Sequence, residues 1–305
     1  MSYPINPITK TELKAIYKNL GINEERHQRI LEVFIDWIKC QPHLPDNIEN
    51  GYYSNFLLLC KDDLAKTKEK FETNIIARKS TLIFNYDLEL SMDCIEETNL
   101  ARTFVPSKRL TAEGYRVIYV SLPKDPKHFD TTNQIKYEGM ILDRLTMGEP
   151  FSGVVVVADF INCTSDILTK TEISVVMNFV HFYLQAIPQR LMHYHMINVT
   201  SFAKPIIAMV KSVMSEKLKK RFLFHDKPEN VLDYLSKDFI PVQYGGTINI
   251  ESVANEWLSY WKENNEWKTN LSKLKLTGEI PKGKLHLDQN SGFGTDGTFR
   301  NMQVD

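Results

Sequence analysis

Cysteine is scarce in this chain: four residues, Cys40, Cys60, Cys94 and Cys163, are spread over 305 positions with no CxxC pair. That spacing excludes a disulfide framework and is the usage of a reduced, intracellular protein. An excess of one charge is missing too. Thirty-seven basic and 38 acidic side chains nearly cancel, which argues against a general nucleic-acid binder and requires any electrostatic partner to meet a local patch. No apolar run is long enough to cross a bilayer; the densest, Val154 to Ala158, is five residues. Met1-Ser2-Tyr3-Pro4-Ile5-Asn6 has neither the basic nor the apolar part of a signal peptide. GxSxG, HExxH, a P-loop and a GxGxxG after a strand are all absent, so no cofactor is expected. A cytoplasmic globule remains, long enough to bury roughly three quarters of its unfolded surface.

What is present divides in three. Residues 1–100 read as a helical bundle. Thr9-Lys10-Thr11-Glu12 has capping-box spacing and leads into Leu13, Ile16, Tyr17 and Leu20, with Gly21 as the stop. A second helix runs from Glu24 to Lys39, with Ile30, Val33, Phe34, Trp37 and Ile38 on one face. Helical stretches follow over Tyr53 to Cys60 and Asp63 to Lys79.

Residues 101–250 read as α/β. Tyr115 to Leu122 is β-branched and aromatic and closes on Pro123. The valine run inside Phe151 to Ile161 suggests a strand covered on both faces, as in a parallel sheet. Leu191 to Asn198 is a third strand. Helices over Ile135 to Met147, over Thr171 to Ile187 and from Phe202 to about Phe224 complete a βαβ order. Residues 251–305 hold a last amphipathic helix, Glu251 to Trp267, and a polar, glycine-containing tail expected to lie extended along the surface or in part disordered.

Few residues suggest chemistry. His193 and His195 share a strand face and could ligate a metal, but two ligands are too few and a plain strand reads better. Asp159 ends the valine strand where α/β enzymes place catalytic acids; a carboxylate capping a neighbouring loop is the simpler reading. One segment stands out. Phe202, Ile206, Ile207, Met209, Val210, Val213 and Met214 form an apolar helix, followed at once by Lys217, Lys219, Lys220 and Arg221. Such a helix suits docking on an anionic membrane, and equally suits a core helix with a solvated charged end.

The stretch from Gly153 to Gly246 resembles the CRAL-TRIO family of lipid-binding and lipid-transfer proteins. The landmarks are the valine strand ending Ala158-Asp159-Phe160, then Ile187-Pro188-Gln189-Arg190, then Ile197-Asn198 followed by Phe202. Lys211, the run Lys217 to Arg221, and Ile240-Pro241-Val242-Gln243-Tyr244-Gly245-Gly246 complete the set. The last is close to the family's Leu-Pro-x-x-Tyr-Gly-Gly ending. The closing Gly297 to Asp305 is similar to tails of invertebrate members akin to α-tocopherol transfer protein. Three departures are visible, one being Val199-Thr200 in place of the proline that usually follows Ile-Asn. Lys211-Ser212 stands for a Lys-Pro pair, and Phe56-Leu57-Leu58-Leu59-Cys60 lacks both arginines of a Phe-Leu-Arg-x-Arg segment.

The resemblance implies an α/β fold in which a helical bundle precedes a mostly parallel sheet. It also implies a closed cavity for one apolar molecule and a movable gate helix from Phe202 to Met214. Phe179, Phe182, Tyr183 and Ile187 match pocket-lining positions. Val154, Val156 and Ala158 would form the floor by strand alternation, and Phe160, Phe202, Ile206, Ile207 and Val210 would close it. Tyr183 and Tyr137 are the candidates for a polar contact, because a phenol can bond a ligand hydroxyl while its ring stays buried. Arg190, Lys211, Lys217, Lys220 and Arg221 would face anionic membranes, phosphoinositide-containing ones among them. The expected function is a non-enzymatic carrier of tocopherol, a retinoid, a carotenoid or a similar molecule. The alternative is a phosphoinositide-sensing adaptor with a regulatory lipid. No nucleic acid is expected as a partner, and the sequence names no protein partner.

Overall fold

A computed structural model of the chain describes residues 3–80, 95–98, 104–263 and 266–281. The expectations for most of the tail, Gly297 to Asp305 included, and for Cys94 lie outside the described residues.

The N-terminal part consists of α1 (Lys10–Leu20), α2 (Glu24–Lys39), α3 (Asn50–Leu59) and α4 (Leu64–Ser80). The capping box forms as read. The Thr9 hydroxyl accepts from the Glu12 N–H at 3.1 Å, and the Glu12 carboxylate accepts from the Thr9 N–H at 2.7 Å. Gly21 stops α1 at φ 69°, a left-handed conformation that glycine adopts without a Cβ penalty. Helix α3 is apolar on nearly all sides and is the buried centre of the bundle, between α2 and α4 and against the next domain.

Five strands follow in spatial order β1 (Phe104–Leu110), β2 (Tyr115–Ser121), β3 (Gly153–Asp159), β4 (Leu191–Ile197) and β5 (Phe222–Phe224). Only β1 is antiparallel; β2 to β5 run parallel. The crossovers are α5 (Thr131–Met147), then the short α6 (Ser165–Lys170) with α7 (Ile173–Gln185), then α8 (Ala203–Ser212) with the single turn α9 (Glu216–Lys219). Helix α10 (Ile250–Glu263) packs on β1, and α11 (Glu266–Ser272) packs on α5.

Three sequence expectations change. Strand β1 was not anticipated: Pro106 sits inside it, a residue tolerated only where a ladder donor is dispensable, as on this edge. The long helix read from Phe202 to about Phe224 is instead three elements. Ser215 caps α9, and Phe222–Phe224 pairs with β4 because a residue pattern short of charge there serves a strand as well as a helix. The helix read from Glu251 to Trp267 is α10 and then α11.

Helix α4 ties the bundle to the sheet domain through buried polar contacts. Arg78 donates to Asp143 of α5 at 2.8 Å. The Lys70 ammonium donates to the carbonyls of Leu184 and Ile187 at 2.8 and 3.1 Å, at the C-terminal end of α7 where helix carbonyls lack partners. Burial brings the Lys70 pKa down to about 8.

Candidate functional site

Strand register builds one wall of a cavity. Ile118, Val156, Tyr194 and Phe222 lie directly across from one another on four successive strands, and Val120, Ala158 and Met196 form the next row. Side chains alternate along a strand, so both rows project to the same face. All of them border a cavity of about 300 Å³, at the small end of ligand pockets. Helix α5 contributes Ile135, Glu138 and Leu142 to the opposite wall, and α7 contributes Val176, Phe179, Val180 and Tyr183. Helix α8 closes the side with Ala203, Ile206, Ile207 and Val210. Twelve of the thirteen α7 residues keep some accessible surface, although the helix is strongly apolar. For Val176, Phe179, Val180, Tyr183 and Leu184 the cavity along the inner face supplies that surface.

Of the ligand-binding positions read from sequence, Val154, Val156, Ala158, Phe160, Phe179, Tyr183, Ile206, Ile207 and Val210 line this space. Four lie elsewhere. Phe182 is buried on the other face of α7, with the Arg78 guanidinium 5.9 Å from its ring. Tyr137 is buried beside Trp261 of α10, which takes up its hydroxyl. Ile187 is core beyond the end of α7. Phe202, just before α8, is 41% exposed on the outside of the molecule. In each case helical or loop phase turns the side chain away, which proximity in sequence does not reveal.

Sequence reading missed one lining residue of consequence. Glu138 falls at the i+3 position from Ile135 and four before Leu142, on the apolar stripe of α5. A carboxylate on such a stripe was the available signal. Burial raises its pKa to about 7, and the Gln134 amide donates to it at 3.1 Å.

The opposite face of the sheet carries the histidines. His193 pairs with Val155, and His195 pairs with Val157, one residue out of phase with the cavity rows. His195 Nδ1 lies 2.9 Å from His225 Nε2, and burial with two neighbouring imidazoles holds its pKa down to about 3. Among the described residues no group of three or more His, Cys, Asp or Glu is placed to hold a metal ion. Asp159 is fully engaged: it accepts from the Ile161 N–H at 3.0 Å, the Asn198 amide at 2.9 Å and the Tyr244 hydroxyl.

The basic residues fall into two groups. Arg190, Lys217 and Arg221 gather around Lys61, and their charges, Arg190 foremost, together with burial depress its pKa. Lys61 follows Cys60 in a left-handed conformation (φ 62°), as does Asp62 (φ 56°), whose carboxylate is held at 2.6 Å by buried His27. Leu58 and Cys60, where the family segment has arginines, are buried in the bundle; the cation reappears one residue later. Arg190 and Arg221 each also donate to a backbone carbonyl, of Ser152 and Leu191 respectively. Lys211 and Lys220 belong to the second group, around Glu216, with the Lys211 ammonium 5.2 Å from the ring of Phe224. Phe202, Met209 and Phe224 are exposed on the surface of this region.

Comparison with known proteins settles the family. Residues 104–246 match the CRAL/TRIO domain model, and residues 23–91 match the Pinta-like UBA domain model. The chain contains a CRAL/TRIO domain. This family consists of lipid-binding and lipid-transfer proteins. Alpha-tocopherol transfer protein-like of Mus musculus is 25% identical to this CRAL/TRIO protein over 125 residues, 40% of this chain and 36% of that protein. The Homo sapiens and Pongo abelii proteins of the same name align with the same identity and coverage. The alignment thus spans about a third of the length of these relatives. The crystal structure of Sfh5 aligns with 83% of this chain and 92% of its own at a TM-score of 0.46 and 12% identity. That likeness is too loose to carry an argument.

Proposed function

We propose that this CRAL/TRIO protein carries one hydrophobic small molecule in the cavity between its sheet and α5, α7 and α8, and exchanges it at anionic membranes. The observation that carries the reading is the cavity itself: a partly open, mostly apolar space whose side wall is a separate ten-residue helix. A ligand with about 500 Å² of apolar surface gains roughly 12 kcal/mol on leaving water. A bilayer offers nearly the same, so selectivity rests on fit and on polar contacts. Tocopherol, retinoids and carotenoids are ligands of this class; the space of about 300 Å³ suits one slender chain or flat ring better than a two-tailed phospholipid.

Helix α8 is the proposed gate. Its inner residues line the cavity, while Met209 on the helix and Phe202 just before it are exposed. Membrane contact would favour the open state by burying apolar residues that closure otherwise covers, an equilibrium shift. The patch of Lys61, Arg190, Lys217 and Arg221 supports attraction to lipid phosphate, phosphoinositides included, because like charges this close are eased by an anion.

Native mass spectrometry of the freshly purified chain, followed by organic extraction, tests the reading. A stoichiometric apolar adduct, carried over between vesicles in a transfer assay, supports a carrier. A clean apo mass after incubation with tocopherol, retinal and phosphatidylinositol vesicles would sink it and leave the lipid-sensing adaptor.

A further inference from the structure

The cavity's polar groups are not equivalent. Thr131 donates to the Lys170 carbonyl and accepts from the Glu172 N–H, Thr171 donates to the Ile167 carbonyl, and Asp159 is saturated as described above. Glu138 differs. Its only hydrogen bond among the described residues comes from Gln134, one turn earlier on the same helix. The carbonyl oxygen of that same Gln134 amide is buried with no hydrogen-bond partner. Both side chains border the cavity. Tyr194 of β4 also borders the cavity, close enough to Glu138 on one side and to Tyr183 of α7 on another that each disfavours ionisation of its phenol.

An unpaired buried acceptor is costly, and a carboxylate in an apolar space more so. These groups nevertheless border one otherwise apolar cavity, with Tyr194 between Glu138 and Tyr183. A carboxylate and an amide oxygen accept; two phenols can donate. A group that both donates and accepts answers this set. An aldehyde, ketone or ester has no donor for Glu138 or for the Gln134 oxygen. A carboxylate ligand would place a second negative charge beside Glu138. An ammonium would be stripped of its water with a single carboxylate to replace it.

We infer that the ligand of this protein is an apolar alcohol, whose hydroxyl is read by Glu138 and Gln134 of α5 with Tyr183 and Tyr194 completing the contact. The inference rests on the carrier reading and narrows it to a ligand chemistry. Glu138 is the specificity-determining residue; the hydrocarbon walls set shape alone.

Delipidated full-length chain is to be incubated at pH 8 with equimolar mixtures of four compounds sharing one skeleton: alcohol, aldehyde, carboxylic acid and the parent hydrocarbon. The farnesyl and retinyl series serve as two independent skeletons. At that pH the carboxyl, whose pKa burial places near 7, is ionised. The complex is repurified by gel filtration, and the bound compounds are quantified after extraction. The alcohol is expected to exceed each of the other three at least tenfold, the effect of a hydrogen bond to a charged group. Glu138→Leu should bring the alcohol and hydrocarbon to within about twofold while binding persists. Equal retention of all four by the wild type, or preference for the aldehyde or acid, overturns this inference and leaves the carrier reading standing. Retention of none overturns the carrier reading and this one with it. Should Glu138→Leu not fold, the wild-type ratios decide, and Glu138→Gln is expected to show a reduced but residual alcohol preference.

Discussion

The Tyr244 hydroxyl donates to the Asp159 carboxylate, joining the last motif of the CRAL/TRIO domain to the C-terminal end of its central strand. Asn198 completes the knot, donating to Asp159 at 2.9 Å and to the Tyr244 oxygen at 3.0 Å from a left-handed backbone conformation (φ 51°). Two sequence landmarks far apart in the chain are thus one hydrogen-bonded unit, placed at the end of the sheet beside the cavity. Tyr244→Phe removes a bond to a charged acceptor and should destabilise the protein by about 2 kcal/mol. Urea denaturation at pH 7 measures it; an unchanged midpoint would show the contact to be idle.

The two glycines after Tyr244 serve different needs. Gly245 has φ 83°, so Gly245→Ala meets backbone strain of about 1–2 kcal/mol and no steric contact closer than 3.8 Å. At Gly246 a Cβ would lie 1.9 Å from the Ile240 carbonyl oxygen. Gly246→Ala must displace backbone, and its loss should exceed that of Gly245→Ala, lowering soluble yield and Tm further. The reverse order in a thermal melt would refute this assignment.

Arg78 and Asp143 form a buried ion pair between the bundle and α5. Asp143→Ala removes the carboxylate of this buried pair, a loss of about 3–5 kcal/mol. Because Arg78 also borders Phe182 of α7, the variant should loosen the helices that carry the cavity wall as well. Hydrogen exchange across α4, α5 and α7 reads this directly, with faster exchange in all three expected.

Glu138 links stability to pH. Its folded pKa of about 7 lies above the ordinary glutamate value of 4.5, so the folded state holds this proton more tightly than the unfolded one. Its contribution is therefore complete below about pH 4.5 and is lost as pH rises through 7, by about 3 kcal/mol at most. Cavity water would lessen that figure by screening the charge. Gln134 on the same helix and Tyr194 of β4 are the polar groups beside it. Glu138→Gln should flatten the wild-type decline in stability between pH 5 and 8; a profile that keeps its slope would place the titration elsewhere.

The basic patch predicts a graded loss of membrane binding. Each cation near an anionic surface contributes about 1 kcal/mol, so Lys61→Ala and Lys217→Ala should each weaken sedimentation with phosphatidylinositol-containing vesicles about fivefold. Raising salt should lessen wild-type binding in the same way. Lys10→Ala in α1, outside both basic groups, is the control and should bind as the wild type does.

Local signals carried the elements well where one face of an element is buried. The Thr9–Glu12 capping box and the valine run of β3 formed as read; on α2 the stripe read through Val33 was out of phase, for Val33 is exposed and His27, Leu31, Phe34 and Ile38 are the buried residues. Signals failed where two interpretations share one pattern. Phe222–Phe224 is a three-residue apolar run that fits the end of a helix as well, and only pairing with β4 makes it a strand. The cavity floor was legible, because alternation along β3 fixes Val154, Val156 and Ala158 on one side. Phe182 and Tyr137 were not, since each lies one helical step from a lining residue and that step is about 100° of rotation.

By itself, then, the sequence determined most of the helical and strand segments, their βαβ order and the family landmarks, all of which depend on neighbours within a few residues. The tertiary structure alone decided which groups share a surface. It set Glu138 against Tyr194 inside an apolar space, and it set Lys61 beside Arg190 and Lys217 from three separate parts of the chain. Desolvation and charge proximity act through space, and neither has a signature in residues that are distant along the chain.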